Sequence, residues 1–254
     1  MRVAVLGLGE AGRIYAADLA ASGATVFAAD PFVTEAPAGV HRAPHIAGAV
    51  KGAEVVLSLV GARAAEAVLA EALPAMDASA IFADMNTGGP AEKKGLAAAA
   101  AAAGISFVDV AILAPVPRAG LGTSLLLSGS GASRLRPLLA QLQVPVTDVG
   151  PEAGTAGGLK LLRSVFMKGL AALVFESVEA ADATGARDWV IDQISSELGP
   201  DGRALVERLL EGTVQHAVRR EAEMRDAQGY LESLGADHAM TDATLHWLGT
   251  IATR

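Results

Sequence analysis

A glycine-rich segment lies near the start of the chain, directly after a short apolar run. It reads Gly7, Leu8, Gly9, Glu10, Ala11 and Gly12. Between a strand and a helix, the first glycine permits a tight turn, the second leaves room for a pyrophosphate, and the third lets the helix approach the sheet. The helix that follows offers N–H groups and a partial positive charge to phosphates. The segment therefore predicts a binding loop for a dinucleotide.

A carboxylate stands where such a loop needs one for the adenosine ribose. Asp30 ends the second apolar run, and it can accept hydrogen bonds from the ribose hydroxyls. Its negative charge would repel the extra phosphate of NADP, so it predicts NAD in preference to NADP. The alternative is an exposed turn residue before Pro31.

Two further segments follow predicted strands, at the edge where open α/β sheets bind their ligands. Leu59 and Val60 end one apolar run, and we expect their backbone to contact the cofactor. Asn86 and Thr87 follow the next run, and we expect their side chains to reach the nicotinamide ribose. Capping of the next helix by Thr87 is the alternative.

Composition excludes several classes of protein and site. The 254 residues include no cysteine, so disulfides, zinc–thiolate sites and thiolate nucleophiles are excluded. A net charge of −8 argues against nucleic-acid or acidic-membrane partners and leaves a small anionic substrate. The histidines lack partners at metal-ligand spacing, so we predict no metal. Apolar runs are too short for a membrane helix or a secretory signal, and we expect a soluble, cytoplasmic protein.

Short apolar runs alternate with alanine-rich helical stretches over the first 150 residues. This pattern predicts a doubly wound Rossmann domain of the α/β class. The predicted strands are Arg2–Leu6, Thr25–Ala29, a weak strand near Val40, Val55–Val60, Ala80–Ala83, Ile105–Val110, Thr123–Leu127 and Val144–Val149. The predicted helices between them include Gly12–Ala21, Ala62–Leu73 and Ala91–Ala103.

No strand-like run reappears after Val149. We therefore assign residues 1–151 to the NAD(P)-binding domain and residues 152–254 to an all-helical domain. The latter opens with a long apolar helix from Ala153 to about Ala183, and helix stops are predicted at Gly199, Gly212 and Gly235. Because a helix that is apolar on most sides has to be covered, we expect a homodimer through the helical domain.

Four segments resemble the β-hydroxyacid dehydrogenase superfamily, which includes hydroxyisobutyrate and phosphogluconate dehydrogenases. They are Val5–Gly12, Asp84–Pro90, the stretch from Phe107–Asp109 through Gly120–Thr123, and Gly154–Lys160. The resemblance implies hydride transfer between a nicotinamide cofactor and a β-hydroxyacid, or the corresponding aldehyde or keto acid. It also implies that Lys160 is the general acid/base.

The residue types agree with that role for Lys160. Oxidation of an alcohol needs a base for the hydroxyl proton, and without cysteine the candidates are His, Lys, Tyr or a carboxylate. Lys160 opens an otherwise apolar helix near the predicted domain boundary. We expect apolar surroundings and a positively charged nicotinamide to depress its pKa. The alternative is a lysine at a helix start that extends its ammonium into solvent.

Departures from the family pattern concern the substrate pocket. Ser164 stands where family members usually carry a paired asparagine, and it can hydrogen-bond a substrate one turn from Lys160. Arg118 lies in a proline-rich segment in place of the usual Ser-Gly-Gly loop, and its planar guanidinium suits a carboxylate or phosphate, unless it simply faces solvent. Lys168 either joins this group or forms a structural ion pair. Farther on, His216, Arg220 and Glu223 share one face of a helix, which we interpret as a solvated stripe; the alternative is a polar network at an interface.

Two other functions stay open. Imine reduction is known in superfamily relatives, but these generally lack a lysine at the position of Lys160. The second alternative is a redox sensor that binds the dinucleotide without turnover. It is suggested by the proline-rich segment that replaces the family's usual substrate loop. Four-electron oxidation through a thiohemiacetal needs a cysteine and is excluded.

Overall fold

The protein is described by a computed structural model that covers residues 1–253. The chain divides into two compact units, Met1–Gly158 and a second unit that begins at Leu159. The sequence placed the domain boundary between residues 151 and 152, a few residues before this division.

Eight strands form one sheet in the first unit. They are β1 (Arg2–Leu6), β2 (Thr25–Ala29), β3 (Val40–Arg42), β4 (Val55–Ser58), β5 (Ile81–Asp84), β6 (Ser106–Ile112), β7 (Leu125–Ser128) and β8 (Val146–Asp148). Their order in the sheet is β3-β2-β1-β4-β5-β6-β7-β8. The predicted Rossmann fold is confirmed, and each predicted strand is present with ends that differ by a few residues.

Five helices connect these strands. They are α1 (Glu10–Ala21), α2 (Ile46–Val50), α3 (Ala62–Ala72), α4 (Pro90–Ala102) and α5 (Ala132–Gln141). The alanine-rich run belongs to α4, as predicted, and the chain leaves that helix at Gly104, where φ is +74°. Glycine adopts this left-handed conformation without steric cost, which is why it so often follows a helix.

One pairing departs from a fully parallel sheet. The strands from β1 to β6 pair in parallel, whereas β7 runs antiparallel to β6 and parallel to β8. Residues 113–124 join β6 to β7 through two short 3₁₀ turns and contain no crossover helix. Parallel neighbours need a long crossover, so this short connection returns the chain in the opposite direction.

The sheet is buried on both faces. Along β1, Val3 and Val5 pack into one apolar core, while Ala4 and Leu6 pack into another. The strands β4 and β5 divide their residues between the same two cores. Successive side chains of a strand point to opposite faces, so these cores lie on the two sides of the sheet. The loops at the ends of the central strands therefore rest on a rigid base.

The described part of the second unit is helical, as predicted. Its helices are α6 (Thr155–Asp182), which begins in the first unit, α7 (Arg187–Glu197), α8 (Gly202–Gln215), α9 (Ala217–Ser233) and α10 (Ala239–Ala252). None of the helices within residues 1–253 combines the length and the apolar character needed to cross a membrane.

One predicted helix stop is wrong. Gly199 and Gly235 leave helices with φ of +86° and +64°, whereas Gly212 lies inside α8. A Cβ at Gly212 would come within 2.9 Å of the Arg220 guanidinium. Gly212 therefore does not end a helix, and the Arg220 side chain packs beside it.

Candidate dinucleotide site and lysine cluster

The strand order places two predicted segments at one edge of the sheet. The chain runs outward from β1 through β2 to β3 and then crosses back to β4 on the other side of β1. Ligands of open α/β sheets bind at such a switch point, beyond the carboxyl ends of the strands. The loops that follow β1 and β4 begin at Gly7 and Leu59, so the structure brings both to this position.

Two glycines of the first loop are required by close backbone contacts. Gly7 has φ of +93°, and a Cβ there would lie 2.5 Å from the Leu59 carbonyl oxygen. A Cβ at Gly12 would lie 2.0 Å from the Gly7 carbonyl oxygen. The β1–α1 turn, the start of α1 and the β4–α3 loop therefore pack so closely that no side chain fits between them.

Gly9 has a different surrounding. It precedes the first residue of α1, and a Cβ there would meet no protein atom within 4 Å. Open space in front of free helix N–H groups fits a pyrophosphate, which a side chain at this position would obstruct. Glu10 is exposed and Ala11 is half-buried, while the Leu8 side chain is buried in the core. The loop thus offers mainly its backbone to a ligand.

The carboxylate of Asp30 ties the glycine loop to the end of β2. One oxygen accepts the N–H of Leu8 at 2.7 Å, and the other accepts those of Phe32 and Val33 at 2.8 and 3.1 Å. A carboxylate has about four acceptor positions, so one remains for a ribose hydroxyl. Asp30 therefore stabilises the turn, but it is half-buried and not the exposed turn residue of the alternative interpretation, and its carboxylate lies beside the glycine loop.

Asn86 joins the loops that follow β4 and β5. Its Oδ1 accepts the N–H of Gly61 at 2.7 Å, and its Nδ2 donates to Ser58 Oγ at 3.1 Å and to Asp84 Oδ1. The amide group is therefore largely occupied within the protein, where the sequence had predicted that it reaches the cofactor. Its partner Thr87 is exposed.

Thr87 does not cap helix α4. The capping residue is Gly89, whose N–H donates to Glu92 Oε2 at 3.0 Å, and Pro90 occupies the first helical position. The capping alternative for Thr87 is therefore wrong. Its hydroxyl lies at the exposed carboxyl edge of the sheet, the position in which a ligand would meet it.

A buried charged network beneath these loops was not predicted. The ammonium of Lys93 lies 2.5 Å from Asp84 Oδ2 and 3.4 Å from Asp109 Oδ1. All three side chains are 1–2% exposed. A signal for it existed, because Asp84 and Asp109 sit within apolar strand runs, and a carboxylate buried there needs a cation or hydrogen-bond donors.

The same network anchors the first turn of α6. Asp109 Oδ2 accepts the N–H groups of Gly154 and Gly157 at 3.2 and 3.0 Å. Ser128 Oγ accepts the N–H of Ala156 at 3.0 Å. Acceptors at a helix N-terminus satisfy otherwise unpaired N–H groups and interact favourably with the helix dipole.

In the second unit, helix α6 brings Ser164 and Lys168 together with Glu223 of α9. The Lys168 ammonium donates to Ser164 Oγ at 2.9 Å and pairs with Glu223 Oε2 at 2.8 Å. Ser164 is only 7% exposed, whereas Lys168 and Glu223 are partly exposed. The ion pair that was the alternative role of Lys168 is present. We call Lys160, Ser164, Lys168 and Glu223 the lysine cluster.

Glu223 is surrounded by cations. Burial alone would raise the pKa of its carboxyl, but the charges of Lys168, Arg219 and Lys160 together lower that pKa below its ordinary value. Arg219 Nε lies 3.8 Å from Glu223 Oε1. The cluster and Arg219 therefore hold three cations around one carboxylate, an arrangement that favours a further anion.

The predicted solvated stripe is corrected by these contacts. Glu223 pairs with Lys168, and Arg220 donates to the buried Thr213 hydroxyl. His216 ends α8 and precedes α9, so it does not share a helical face with the other two residues. Arg220 and Glu223 therefore make polar contacts within the second unit, and all three side chains are half-buried.

Arg118 belongs to the first unit and is exposed. It ends a short 3₁₀ turn, Val116–Arg118. The segment that follows is fixed on α1 by a hydrogen bond from the Leu121 N–H to Asp18 Oδ2 at 2.9 Å. Arg118 is therefore exposed on a loop that is hydrogen-bonded to α1. Ser164 and Lys168 contact each other in the second unit.

Comparison with known proteins agrees with this fold and loop. Residues 2–150 match the family described as the NAD binding domain of 6-phosphogluconate dehydrogenase. Residues 181–251 match a domain of unknown function, DUF1932. The fold, the glycine loop and the first of these matches define a protein of the β-hydroxyacid dehydrogenase superfamily with a domain that binds a nicotinamide dinucleotide. Within this class, the chain belongs to the family of the 6-phosphogluconate dehydrogenase NAD-binding domain.

Individual relatives extend the likeness over the whole chain. A conserved hypothetical protein from Sinorhizobium meliloti 1021 is 32% identical, with a TM-score of 0.80 over 98% of this chain and 87% of that one. An uncharacterised 28.5 kDa protein from the 7S RNA 5′ region of Methanothermus fervidus is 29% identical over 127 residues, 50% of this chain. The matched region spans about half the length of that curated relative, 49%.

More distant structures share the fold alone. The 3-hydroxyisobutyrate dehydrogenase of Mycobacterium tuberculosis, described with L-serine, has a TM-score of 0.84 at 19% identity, over 99% of this chain and 94% of that one. An imine reductase of Myxococcus stipitatus, described with NADP⁺, has a TM-score of 0.63 at 18% identity, over 100% and 94%. A variant of the latter enzyme is described with NAD⁺.

Proposed function

We propose that the protein transfers a hydride between a nicotinamide cofactor and the CH–OH group of a β-hydroxyacid, or the corresponding aldehyde or keto acid. The observation that carries this proposal is the lysine cluster on α6. The positive charges of Lys160, Lys168 and Arg219 all act on the carboxylate of Glu223. A cationic cluster suits an acidic substrate, and a lysine supplies the proton transfer that alcohol oxidation needs.

The first unit would hold the cofactor through its loops. The start of α1 offers N–H groups to the diphosphate, and the remaining acceptor position of Asp30 suits the adenosine ribose. The backbone of Leu59 and Val60, with the exposed Thr87 hydroxyl, lies at the same edge for the nicotinamide half. When bound, the cofactor supplies the hydride chemistry, and the protein supplies binding and orientation.

Lys160 has the role of moving the proton. In alcohol oxidation its neutral amine accepts the hydroxyl proton while the substrate carbon loses a hydride; in the reverse direction its ammonium returns that proton to the oxygen. Tyr15 is a poor alternative base. It is 2% exposed, and burial, with the nearby Asp18 charge, raises the pKa of its phenol.

Ser164, Lys168 and Arg118 are proposed to bind the substrate. The Ser164 hydroxyl is oriented by Lys168, and Glu223 fixes the Lys168 ammonium. This arrangement offers a hydrogen bond and positive charge to a substrate carboxylate. Arg118, displayed on its held loop, adds a planar guanidinium of the kind that binds carboxylates and phosphates in a bidentate manner.

We propose NAD as the preferred cofactor. The support is the negative charge of Asp30, which stays next to the glycine loop and is unfavourable for a 2′-phosphate. The solved imine reductases of this fold are described with NADP⁺ and, for a variant, with NAD⁺, so the fold accommodates both cofactors.

A screen of small β-hydroxyacids with NAD⁺ and NADP⁺, followed by NADH or NADPH absorbance, tests the activity. For an active substrate, Lys160→Ala should reduce kcat by about 10²- to 10⁴-fold, because a positioned acid/base contributes that much. The dissociation constant of NADH should change less than about twofold, since the lysine does not bind the dinucleotide. Arg208→Ala, which removes an exposed cation on α8, is the matched control. Undiminished turnover by Lys160→Ala would refute the assigned role.

The same screen separates the two competing functions. A cyclic imine is included with NADPH, because several of the fold relatives are named imine reductases. Imine turnover that persists in Lys160→Ala supports the reductase. Tight NADH binding without turnover of any hydroxyacid or imine supports a dinucleotide sensor.

We also propose that two copies associate through the helical unit. Leu159, Leu162, Phe166 and Leu173 of α6 are 40–67% exposed. Their spacing of three, four and seven residues puts them on one side of the helix, and an exposed apolar stripe of this kind marks an interface. Light scattering at micromolar concentration should give a dimer, and Phe166→Lys a monomer, whereas Leu234→Lys at the end of α9 should change nothing. A monomeric wild type contradicts the proposal.

A further inference from the structure

Lys93 is enclosed to a degree that is rare for lysine. It is 2% exposed, and its ammonium lies between Asp84 and Asp109, which are each 1% exposed. Burial of charged groups is unfavourable unless they are paired and hydrogen-bonded. Apolar side chains could fill the same volume at lower cost, so the network calls for a role besides packing.

The contacts of Lys93 converge on the loop that follows β5. Besides the Asp84 carboxylate at 2.5 Å, its ammonium donates to the Asn86 carbonyl oxygen at 2.6 Å. Asp84 in turn accepts the Asn86 amide through its other carboxylate oxygen. Backbone and side chain of Asn86 are therefore both oriented by the Lys93–Asp84 pair.

Asn86 extends this control to the neighbouring loop. Its Oδ1 accepts the Gly61 N–H at 2.7 Å, directly after Leu59 and Val60. Through these hydrogen bonds Lys93 supports both loops that the nicotinamide half of the cofactor is proposed to contact. These hydrogen bonds form one continuous path from the N-terminus of α3 to the first turn of α4.

The adenosine side is held by other contacts. Asp30 accepts the Leu8 N–H, and the Gly7 N–H donates to the Ala29 carbonyl oxygen at 2.9 Å. Neither Lys93 nor its two carboxylate partners takes part in these bonds. The hydrogen bonds that hold the adenosine side are therefore separate from those of Lys93, although Gly7 packs against the Leu59 carbonyl group.

We propose that Lys93 is a positioning residue for the nicotinamide half of the cofactor. It fixes the loops after β4 and β5, so its loss weakens binding of that half and spares the adenosine diphosphate half. This inference rests on the proposed dinucleotide site but not on the chemistry assigned to Lys160.

The test compares two ligands on purified full-length protein. Isothermal titration gives dissociation constants for NADH and for ADP-ribose, which lacks the nicotinamide. Lys93→Met keeps the length of the side chain and removes its charge. We expect NADH affinity to fall at least tenfold while ADP-ribose affinity changes less than twofold. Lys94→Met, at the exposed neighbouring position of α4, is the matched control and should alter neither constant.

Several outcomes would overturn the inference. Equal losses for both ligands mean that Lys93 supports the whole domain, and unchanged NADH affinity means that the loops do not depend on it. A wild type that binds NADH no more tightly than ADP-ribose leaves no nicotinamide half to position. If the wild type prefers NADPH, the comparison uses NADPH and 2′-phospho-ADP-ribose.

A second variant keeps the test valid if Lys93→Met does not fold. Lys93→Met combined with Asp84→Asn retains the formal charge of the wild-type network, because one cation and one anion are removed together. The carboxamide oxygen introduced by Asp84→Asn can still accept the Asn86 amide hydrogen bond. The same split between NADH and ADP-ribose is expected. Because binding is measured, a failure of every substrate in the turnover screen would leave this result standing.

Discussion

At the carboxyl edge of the sheet the buried polar side chains have several partners each, whereas the polar groups of α6 and α9 meet in ion pairs that are partly exposed. Asn86 makes three hydrogen bonds through its side-chain amide and a fourth through its backbone carbonyl oxygen. Lys168 has two partners, Ser164 and Glu223, and Glu223 remains 34% exposed. The first region is buried and connected, and the second is partly solvated.

This difference indicates which region keeps its geometry before a ligand binds and which region can adjust to a ligand. Groups locked by packing and hydrogen bonds on strand ends keep their geometry before a ligand arrives. Long lysine side chains on helices are adjustable, and water weakens their pairing. A constant cofactor suits the first arrangement, and a substrate that varies between members of a superfamily suits the second. Substitutions at the edge of the sheet should therefore have larger effects than substitutions in the lysine cluster.

The largest effect is expected where the first region is tightest. Gly12→Ala places a Cβ 2.0 Å from the Gly7 carbonyl oxygen, and only backbone movement can relieve that contact. We expect a cost of about 3 kcal/mol and a melting temperature lower by roughly 10 °C. Differential scanning calorimetry of the protein without cofactor measures it.

Gly9, in the same loop, should tolerate alanine without loss of stability but with a loss of cofactor binding. At Gly9 a Cβ meets nothing within 4 Å, and φ of −63° suits alanine, so Gly9→Ala should melt like the wild type. It should nevertheless weaken NADH binding about tenfold, or about 1.4 kcal/mol, because the methyl group occupies the space proposed for the diphosphate. Gly95→Ala in α4, which also meets nothing, is the control for both. Normal NADH binding by Gly9→Ala would contradict the location of the diphosphate.

A smaller effect is expected at Asp30. In Asp30→Asn the charge is removed, and the side-chain oxygen can still accept the N–H groups of Phe32 and Val33. The hydrogen bond from the Leu8 N–H is lost, because an amide nitrogen cannot accept it, but this loss affects both cofactors alike. The ratio of kcat/KM for NADP to that for NAD should rise about tenfold, since a charge repulsion of about 1.4 kcal/mol is lost. Asp77→Asn, at an exposed position of the same unit, should leave the ratio unchanged. An unaltered ratio in Asp30→Asn would mean that its carboxylate serves the turn alone.

The sequence predicted the fold well because its signals are local. The apolar runs from Arg2 to Leu6 and from Thr25 to Ala29 coincide with β1 and β2. The glycine loop could be assigned roles residue by residue because each role follows from a missing side chain. The Gly212 prediction failed because a single glycine lowers helix propensity by only about 1 kcal/mol, which the rest of α8 can offset.

Pairings between distant residues could not be predicted in this way. Lys93 lies sixteen residues before Asp109, and their meeting depends on the sheet register that sets β5 beside β6. Lys168 and Glu223 come from different helices of the second unit, and no period in the sequence relates them. The choice between alternatives for Asp30 was also unresolved, because one carboxylate can stabilise a turn and still accept a further hydrogen bond.

The smallest effect is expected in the lysine cluster, where it should depend on pH. The pKa of Glu223 lies below its ordinary value of about 4.5, so the folded protein stabilises the ionised carboxylate. That contribution is complete above the unfolded pKa and is lost as the pH falls through the lower pKa of the folded state. Because Glu223 is one-third exposed, about 0.5 kcal/mol is expected at neutral pH. Urea unfolding of the wild type and Glu223→Gln should differ by this amount at pH 7 and converge as the pH falls through the lowered pKa of Glu223, whereas Glu211→Gln, at an exposed position of α8, should show no such convergence. A difference of several kcal/mol at pH 7 would show that the cluster is as tightly held as the edge of the sheet, and the contrast between the two regions would then fail.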